Sequence, residues 1–154
     1  MRLSTRSQYG IHAMLDLALA YGGGPQPLRL IAERQDVPEQ YLEQLIAPLR
    51  RSGLVKSARG AAGGYELALP PENIQVGEVL RALEGPVRLT DCIGEPDACA
   101  RAELCPSRVL WERLNHAIQD VLDKTTLAEL LSSDVNDRAD IGSYNKAAPK
   151  EVLV

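Results

Sequence analysis

The sequence has no phenylalanine, one tryptophan and three cysteines among its 154 residues. Such a shortage of aromatic side chains gives no support for a surface that binds nucleic acid by stacking bases on exposed rings. A helix that spans a bilayer needs about 20 apolar residues, and no apolar run in this sequence approaches that length. No signal-like segment follows the first residues. We therefore expect a cytoplasmic protein with no membrane partner.

The three cysteines, Cys92, Cys99 and Cys105, all lie in one short segment. An odd number of thiols in a reducing compartment favours metal or redox chemistry over a disulfide framework. Structural zinc sites prefer cysteine pairs separated by about two to four residues. The intervening residues here number six and five. The spacing therefore disfavours zinc and leaves an iron–sulfur centre and free redox thiols as alternatives.

Charge is distributed unevenly along the chain. The formal net charge is -4, yet residues 1–70 carry eight Lys or Arg against six Asp or Glu, and residues 71–154 carry nine against fifteen. Four cations, Arg50, Arg51, Lys56 and Arg59, lie in a stretch without an acid. Such a strip fits a face that touches phosphates, although a charge run alone more often marks a solvated surface.

Apolar periodicity predicts three helices in the first half of the chain, over residues 4–21, over residues 28–35, and from Pro38 to just before Gly53. The third carries an apolar stripe formed by Tyr41, Leu42, Leu45, Ile46 and Leu49. A turn over residues 36–38 joins the second helix to the third. This pair predicts a helix-turn-helix, in which the second helix lies in the major groove.

Residues 54–59 and 65–69 have strand character around the glycine-rich segment 60–64. A helix-turn-helix followed directly by a hairpin is a winged helix. The predicted fold class is therefore mainly α with a small β-hairpin, a winged helix-turn-helix followed by a long dimerisation helix. We assign residues 1–85 to the winged helix-turn-helix DNA-binding domain.

The second half is predicted to hold a short helix over 74–83 and a cysteine loop over 86–106. Residues 107–131 are assigned to a dimerisation helix and a final short helix, and the polar tail 132–154 to a disordered segment. Apolar residues recur at helical spacing between 109 and 122. The pattern alone fits a helix–helix dimer contact and packing onto the winged helix equally well.

Four motifs resemble, in order, the IscR-type winged-helix transcription regulators. They are residues 41–45 (YLEQL), 49–55 (LRRSGLV), 59–65 (RGAAGGY) and the three-cysteine loop before a long helix. The resemblance covers residues 1–131. It implies a homodimer joined through the long helix and bound to a palindromic operator in double-stranded DNA.

The same resemblance implies an iron–sulfur cluster, most often [2Fe–2S], on Cys92, Cys99 and Cys105. The implied function is a sequence-specific regulator, such as a repressor, that senses cluster, redox, iron or nitric-oxide status. Relatives without cysteines respond to protein partners instead, which is the alternative for this chain. Because no phosphate-binding or hydrolase motif appears and neither histidine has a catalytic setting, we expect no enzyme.

One position departs from the IscR branch. A histidine is expected three residues after the third cysteine, and Arg108 stands there. A protonated guanidinium has no lone pair to offer a metal. Nitric-oxide and redox-sensing relatives draw ligands from the first helix, at the places that Gln8 and His12 occupy here. His12 is therefore the candidate fourth ligand, with His116 on the long helix as a second option.

The recognition helix is expected to read base edges through Gln40, Glu43 and Gln44. Glutamine pairs with adenine, and a carboxylate accepts from the cytosine amino group while repelling phosphate. Arg59 is predicted to enter a minor groove at the wing, where Gly60 allows close approach of the backbone. Further candidates for phosphate contacts are Arg50, Arg51, Lys56, Ser4, Thr5 and Arg6.

Overall fold

The computed structural model describes residues 4–93, 95, 99–100 and 104–132. The elements in chain order are the helices α1 (Thr5–Leu19), α2 (Leu28–Gln35) and α3 (Glu39–Arg51), the strands β1 (Val55–Ala58) and β2 (Gly64–Leu67), a 3-10 turn (Pro71–Asn73), and the helices α4 (Val76–Glu84), α5 (Arg108–Lys124) and α6 (Leu127–Ser132). The predicted fold class, mainly α with a small β-hairpin, is confirmed. In this part of the chain no helix combines the length and the apolar character needed to cross a membrane. The tail predicted to be disordered lies, beyond Ser132, outside the described residues.

Helix α1 is the central helix of the core. The Ser4 hydroxyl caps it by accepting a hydrogen bond from the Ser7 N–H at 3.0 Å, which satisfies one of the donors that a helix start leaves unpaired. Its inward residues Ala13, Met14 and Leu17 are at most 1% exposed. The helix ends at Leu19, two residues earlier than predicted. The chain turns immediately after it, and Gly22 in this turn has a φ of 82°, which is outside the helical range.

Helices α2 and α3 form the predicted helix-turn-helix. Asp36 at the end of α2 adopts the left-handed conformation, with a φ of 51°, and Pro38 then precedes the first residue of α3. The predicted apolar stripe of α3 faces inward, since Leu42, Leu45 and Leu49 are fully buried. This burial fixes which face of α3 remains outside.

The wing is an antiparallel hairpin in which Val55 pairs with Leu67 and Ala58 with Gly64. It is also tied to the segment before α2. The Gln26 N–H donates to the Tyr65 carbonyl at 2.8 Å, and the Tyr65 N–H donates to the Gln26 carbonyl at 2.9 Å. Because a Cβ at Gly64 would overlap the Gln26 carbonyl, only glycine permits this approach.

Helix α6 returns to the winged-helix core. The Val76 N–H donates to the Thr125 carbonyl at 2.9 Å, and the Leu127 N–H donates to the Ile74 carbonyl at 3.0 Å. Leu127 is fully buried in the core cluster. The short final helix, which the sequence places with α5, therefore packs against the same core as α1.

Helix α5 behaves differently, because it carries two apolar stripes. Its inward stripe, defined as Trp111, Asn115, Ile118 and Leu122, contains the one buried residue of the helix, Asn115. Its outward stripe, defined as Leu110, Leu114, Ala117 and Val121, is exposed throughout. One face of α5 thus packs onto the rest of the chain, and the opposite face stays exposed.

We expect Gly64→Ala to destabilise the fold by about 1–3 kcal/mol, because the added methyl group forces the wing away from Gln26. Urea unfolding followed by circular dichroism measures this change. Ala61→Ser, which also adds one heavy atom in the wing but at an exposed position, is the matched control and should unfold like wild type. Equal midpoints for both variants would contradict the close-approach argument.

Candidate functional site

The outer face of α3 carries the residues predicted to read base edges. Gln40, Glu43 and Gln44 are all exposed, and their spacing of three and four residues places them on one side of the helix. They lie opposite the buried stripe that holds α3 against the core. The face therefore presents two amides and one carboxylate, which can donate to and accept from base edges.

Exposed cations lie at the end of α3 and on the wing. Arg50 and Arg51 are exposed in the last turn of α3, where the helix dipole favours positive charge. Lys56 on β1 lies 3.4 Å from the Glu66 carboxylate across the hairpin, so its charge is partly balanced. Within the described residues no ion pair involves Arg50, Arg51 or Arg59. Uncompensated positive charge thus lies at the end of α3 and at the wing.

The tip of the wing is a tight glycine turn beside Arg59. Gly60 has a φ of 108°, a backbone conformation that other residues rarely adopt, and a Cβ at Gly63 would overlap the Ala58 carbonyl. Arg59 and Gly60 are both exposed. This geometry leaves an arginine at the base of a narrow tip, which suits insertion into a groove.

The start of α1 is joined to the end of α4. The Ser4 and Ser7 hydroxyls both donate to the Glu84 carboxylate, Ser7 at 3.0 Å, and the Arg6 Nε donates to the Leu83 carbonyl at 2.9 Å. Ser4 and Arg6, which the sequence offered as candidates for phosphate contacts, therefore have partners inside the protein. Their hydrogen bonds hold the last turn of α4, immediately before the cysteine loop, against α1.

The three cysteines are free thiols in different surroundings. Cys92 is half-buried, and its sulfur lies 3.2 Å from the Thr90 hydroxyl. Cys99 is exposed. The Cys105 sulfur lies 3.1 Å from the Ser107 hydroxyl, and hydrogen bonds from the Ser107 side chain and backbone lower the pKa of the Cys105 thiol. Cys105 is thereby biased toward the thiolate, the form that binds metals and reacts with oxidants.

The donor types fit an iron–sulfur cluster, because cysteine thiolates are its usual ligands. The three cysteine side chains are, however, not arranged as a metal site in this structure. Among the residues that the structure describes, no three His, Cys, Asp or Glu side chains converge to hold a metal ion. In the part of the chain that the structure describes, Cys92, Cys99 and Cys105 are therefore not gathered into one site.

The candidate fourth ligands differ in their environments. Arg108 Nε donates to the Glu112 carboxylate at 2.8 Å, so its guanidinium is engaged in an ion pair. His12 on α1 is half-buried, contacts the Tyr9 ring edge-on at 6.2 Å, and has its pKa lowered by burial. A lowered pKa favours the neutral imidazole, which is the metal-binding form. Gln8 on α1 and His116 on α5 are exposed.

Asn115 is a candidate functional residue that the sequence pattern did not predict. Its side-chain oxygen accepts a hydrogen bond from the Leu89 N–H at 3.2 Å, which ties α5 to the segment before Cys92. One signal could have revealed it. Asn115 occupies a position of the inward stripe between Trp111 and Ile118, where the helical period calls for an apolar residue.

Three comparisons with known proteins agree on the kind of protein. A family model described as Rrf2, iron-dependent transcriptional regulator, matches residues 3–133. The chain is 42% identical over 132 residues to the HTH-type transcriptional regulator CymR of Bacillus subtilis, covering 86% of this chain and 91% of the relative. It is 42% identical over 151 residues to the HTH-type transcriptional regulator IscR of Erwinia tasmaniensis, covering 96% and 91%.

Solved structures give the same result. The structure of CymR, the global cysteine regulator of B. subtilis, superposes with a TM-score of 0.73 at 42% identity, covering 86% of this chain and 98% of that one. The structure of T. potens IscR gives a TM-score of 0.72 at 42% identity, covering 94% and 96%. These similarities confirm the predicted winged-helix fold and the expectation that the chain is no enzyme.

We expect Arg59→Ala to weaken binding to a duplex selected from a random pool by about 1–3 kcal/mol and to reduce the salt slope by about one. Fluorescence anisotropy titrations at several salt concentrations measure both quantities. Lys124→Ala removes the same charge from the end of α5, where Lys124 pairs with Asp120, and should leave both unchanged. Identical titrations for Arg59→Ala and wild type would remove the wing arginine from the interface.

Proposed function

Because this chain belongs to the Rrf2 family of transcriptional regulators, we propose that it is a DNA-binding regulator whose operator affinity depends on an iron–sulfur cluster. The observation that carries this proposal is the place of the cysteine loop. It begins at the end of α4, which is hydrogen-bonded to α1, and it ends at the start of α5. A change in the loop therefore acts directly on two elements of the fold.

Cys92, Cys99 and Cys105 would hold the cluster, with His12 as the candidate fourth ligand. A bound [2Fe–2S] cluster supplies a redox-active centre whose stability depends on its ligands and hydrogen bonds. The Thr90 hydroxyl lies beside the Cys92 sulfur, and the Ser107 hydroxyl lies beside the Cys105 sulfur. Both hydroxyls would stabilise thiolate charge there. A non-thiolate donor at the fourth position would make the centre easier to lose, which suits a sensor.

A second copy of this chain is the proposed occupant of the outward stripe of α5. Leu110, Leu114, Ala117 and Val121 follow the spacing of alternating four and three residues that brings two helices together as a coiled coil. Leu110 and Leu114 are 51% and 42% exposed, and Val121 is 63% exposed. Pairing this stripe with its symmetric copy would remove apolar surface from water and place two recognition helices on a palindromic operator.

A second candidate function is regulation by a protein partner without a cluster. Two observations favour it: the described donors do not converge, and the CymR relative is as similar to this chain as the IscR relative. In that case the thiols would be incidental to DNA binding. Replacing all three cysteines with serine separates the two functions. Under regulation by a partner, the variant should bind DNA like the wild type with and without iron or oxidants, whereas loss of a cluster would make its affinity differ from that of the wild type.

We expect protein purified without oxygen to be brown, with visible absorbance and about two iron and two acid-labile sulfide atoms per chain. The Cys92→Ser, Cys99→Ser and Cys105→Ser variants should each lose most of the iron. Visible absorbance together with iron and sulfide analysis measures this. A colourless wild-type preparation without iron or sulfide would refute the cluster and leave the partner-controlled function.

His12→Ala and His116→Ala form a matched pair for the fourth ligand. If His12 completes the site, its replacement lowers the iron content or shifts the visible spectrum, whereas the His116 variant keeps both. Unchanged spectra for the two variants would exclude both histidines and direct attention to oxygen donors.

We expect Leu114→Asp to convert the dimer into a monomer, because a carboxylate in the middle of the outward stripe would have to be desolvated on association. Size-exclusion chromatography with light scattering measures the mass. The control His116→Asp adds the same charge at an exposed position of α5 outside the stripe and should remain dimeric. Two monomers, or two dimers, would contradict the assignment of the dimer contact.

A further inference from the structure

The one buried residue of the long helix is polar. Asn115 is 5% exposed, whereas every other residue of α5 keeps more of its surface in water. A leucine at this position of the inward stripe would avoid the cost of burying an amide. Asn115 therefore offers something other than apolar packing.

The Asn115 side chain accepts a hydrogen bond from the segment that leads into the cysteine loop. Its Oδ1 accepts from the Leu89 N–H at 3.2 Å. The two residues next to Leu89 continue the arrangement, since Arg88 pairs with Glu95 at 2.7 Å and the Thr90 hydroxyl lies 3.2 Å from the Cys92 sulfur. Arg88, Leu89 and Thr90 are thus linked in turn to Glu95, to α5 and to the Cys92 thiol.

These contacts tie the position of Leu89 to that of α5. The Leu89 N–H is part-buried and has the Asn115 side-chain oxygen as its acceptor, so losing this acceptor carries a free-energy penalty. Moving α5 therefore moves Leu89, and a change of the turn around Cys92 strains the Leu89 to Asn115 hydrogen bond. By linkage, such a coupling acts equally in both directions.

We propose that Asn115 is a positioning residue that couples the state of the Cys92 thiol to α5. Ligation or covalent modification of Cys92 then reaches the outward stripe through Leu89 and Asn115. The value of this coupling for gene regulation rests on the proposed function above, but the coupling itself requires neither iron nor DNA.

The test uses iron-free, reduced protein with Cys99→Ser and Cys105→Ser, so that Cys92 is the remaining thiol. The rate of its alkylation by N-ethylmaleimide is measured by mass spectrometry. Asn115→Leu keeps the size and removes the acceptor, and should raise the rate about fivefold, as expected for the loss of one hydrogen bond. Asn115→Asp keeps an acceptor oxygen at the same place and should stay close to the parent.

Ile118→Ala is the matched control for loosened packing. Ile118 belongs to the same inward stripe, but its hydrocarbon side chain cannot accept the Leu89 N–H, which bonds to Asn115. Its replacement should change the Cys92 alkylation rate less than Asn115→Leu does. Equal rates for Asn115→Leu and the parent, or equal acceleration by Asn115→Leu and Ile118→Ala, would overturn the proposal.

The reverse direction is read from hydrogen exchange of the α5 amides. Alkylation of Cys92 should accelerate exchange around residues 112–119 in the parent and add no further acceleration in the Asn115→Leu variant. The wild type offers an independent check that needs no variant: the Leu89 amide should exchange as slowly as the amides of α5. A Leu89 amide that exchanges as fast as that of exposed Asp91 would overturn the proposal.

These outcomes are separable from those of the proposed function. If the protein is colourless but shows the coupling, the proposed cluster is refuted and the proposed role of Asn115 stands. If the protein is brown but lacks the coupling, the cluster stands and the role of Asn115 is refuted.

Discussion

The close contact between α1 and α4 at Gly10 is the constraint on which the rest of the structure depends. Gly10 is buried, and a Cβ there would overlap the Leu83 side chain. The bare backbone lets α4 lie directly on the central helix, and the hydrogen bonds from Arg6 and Ser7 then fix its last turn. The cysteine loop consequently begins at a point that is fixed relative to α1, against which α2, α3 and β2 also pack.

The second half of the molecule depends on how α5 divides its surface. Its end is tied to α4 through the backbone bond from Val76 to Thr125 and the ion pair of Arg81 with Asp123 at 2.7 Å. Its inward stripe rests on the same chain, with Asn115 as the hydrogen-bonded contact. The outward stripe remains in water. The proposed coupling to the loop and the proposed contact with a second copy therefore use opposite faces of one helix.

Much of the fold was predictable because it depends on local patterns. The stripe of α3, the wing around its glycines, and Thr126 as a cap that accepts the Glu129 N–H at 3.1 Å are readable as periodicity and turn chemistry. Pro48 is an exception to the local rules for where a helix ends. It lies inside α3, where it removes a donor, yet the helix continues to Arg51 because Leu45 and Leu49 are buried on either side.

The sequence by itself determined the winged helix, the family resemblance, the exposed polar face of α3 and the gathering of three thiols in one loop, since residue type and spacing carry all of these. Only the tertiary structure decided that α6 joins the core, that Ser4 and Arg6 bond to α4, and that Asn115 holds Leu89. It also placed the cysteines in three unlike environments. The physical reason is that hydrogen bonds and burial depend on distances between residues far apart in the chain, which no local pattern records.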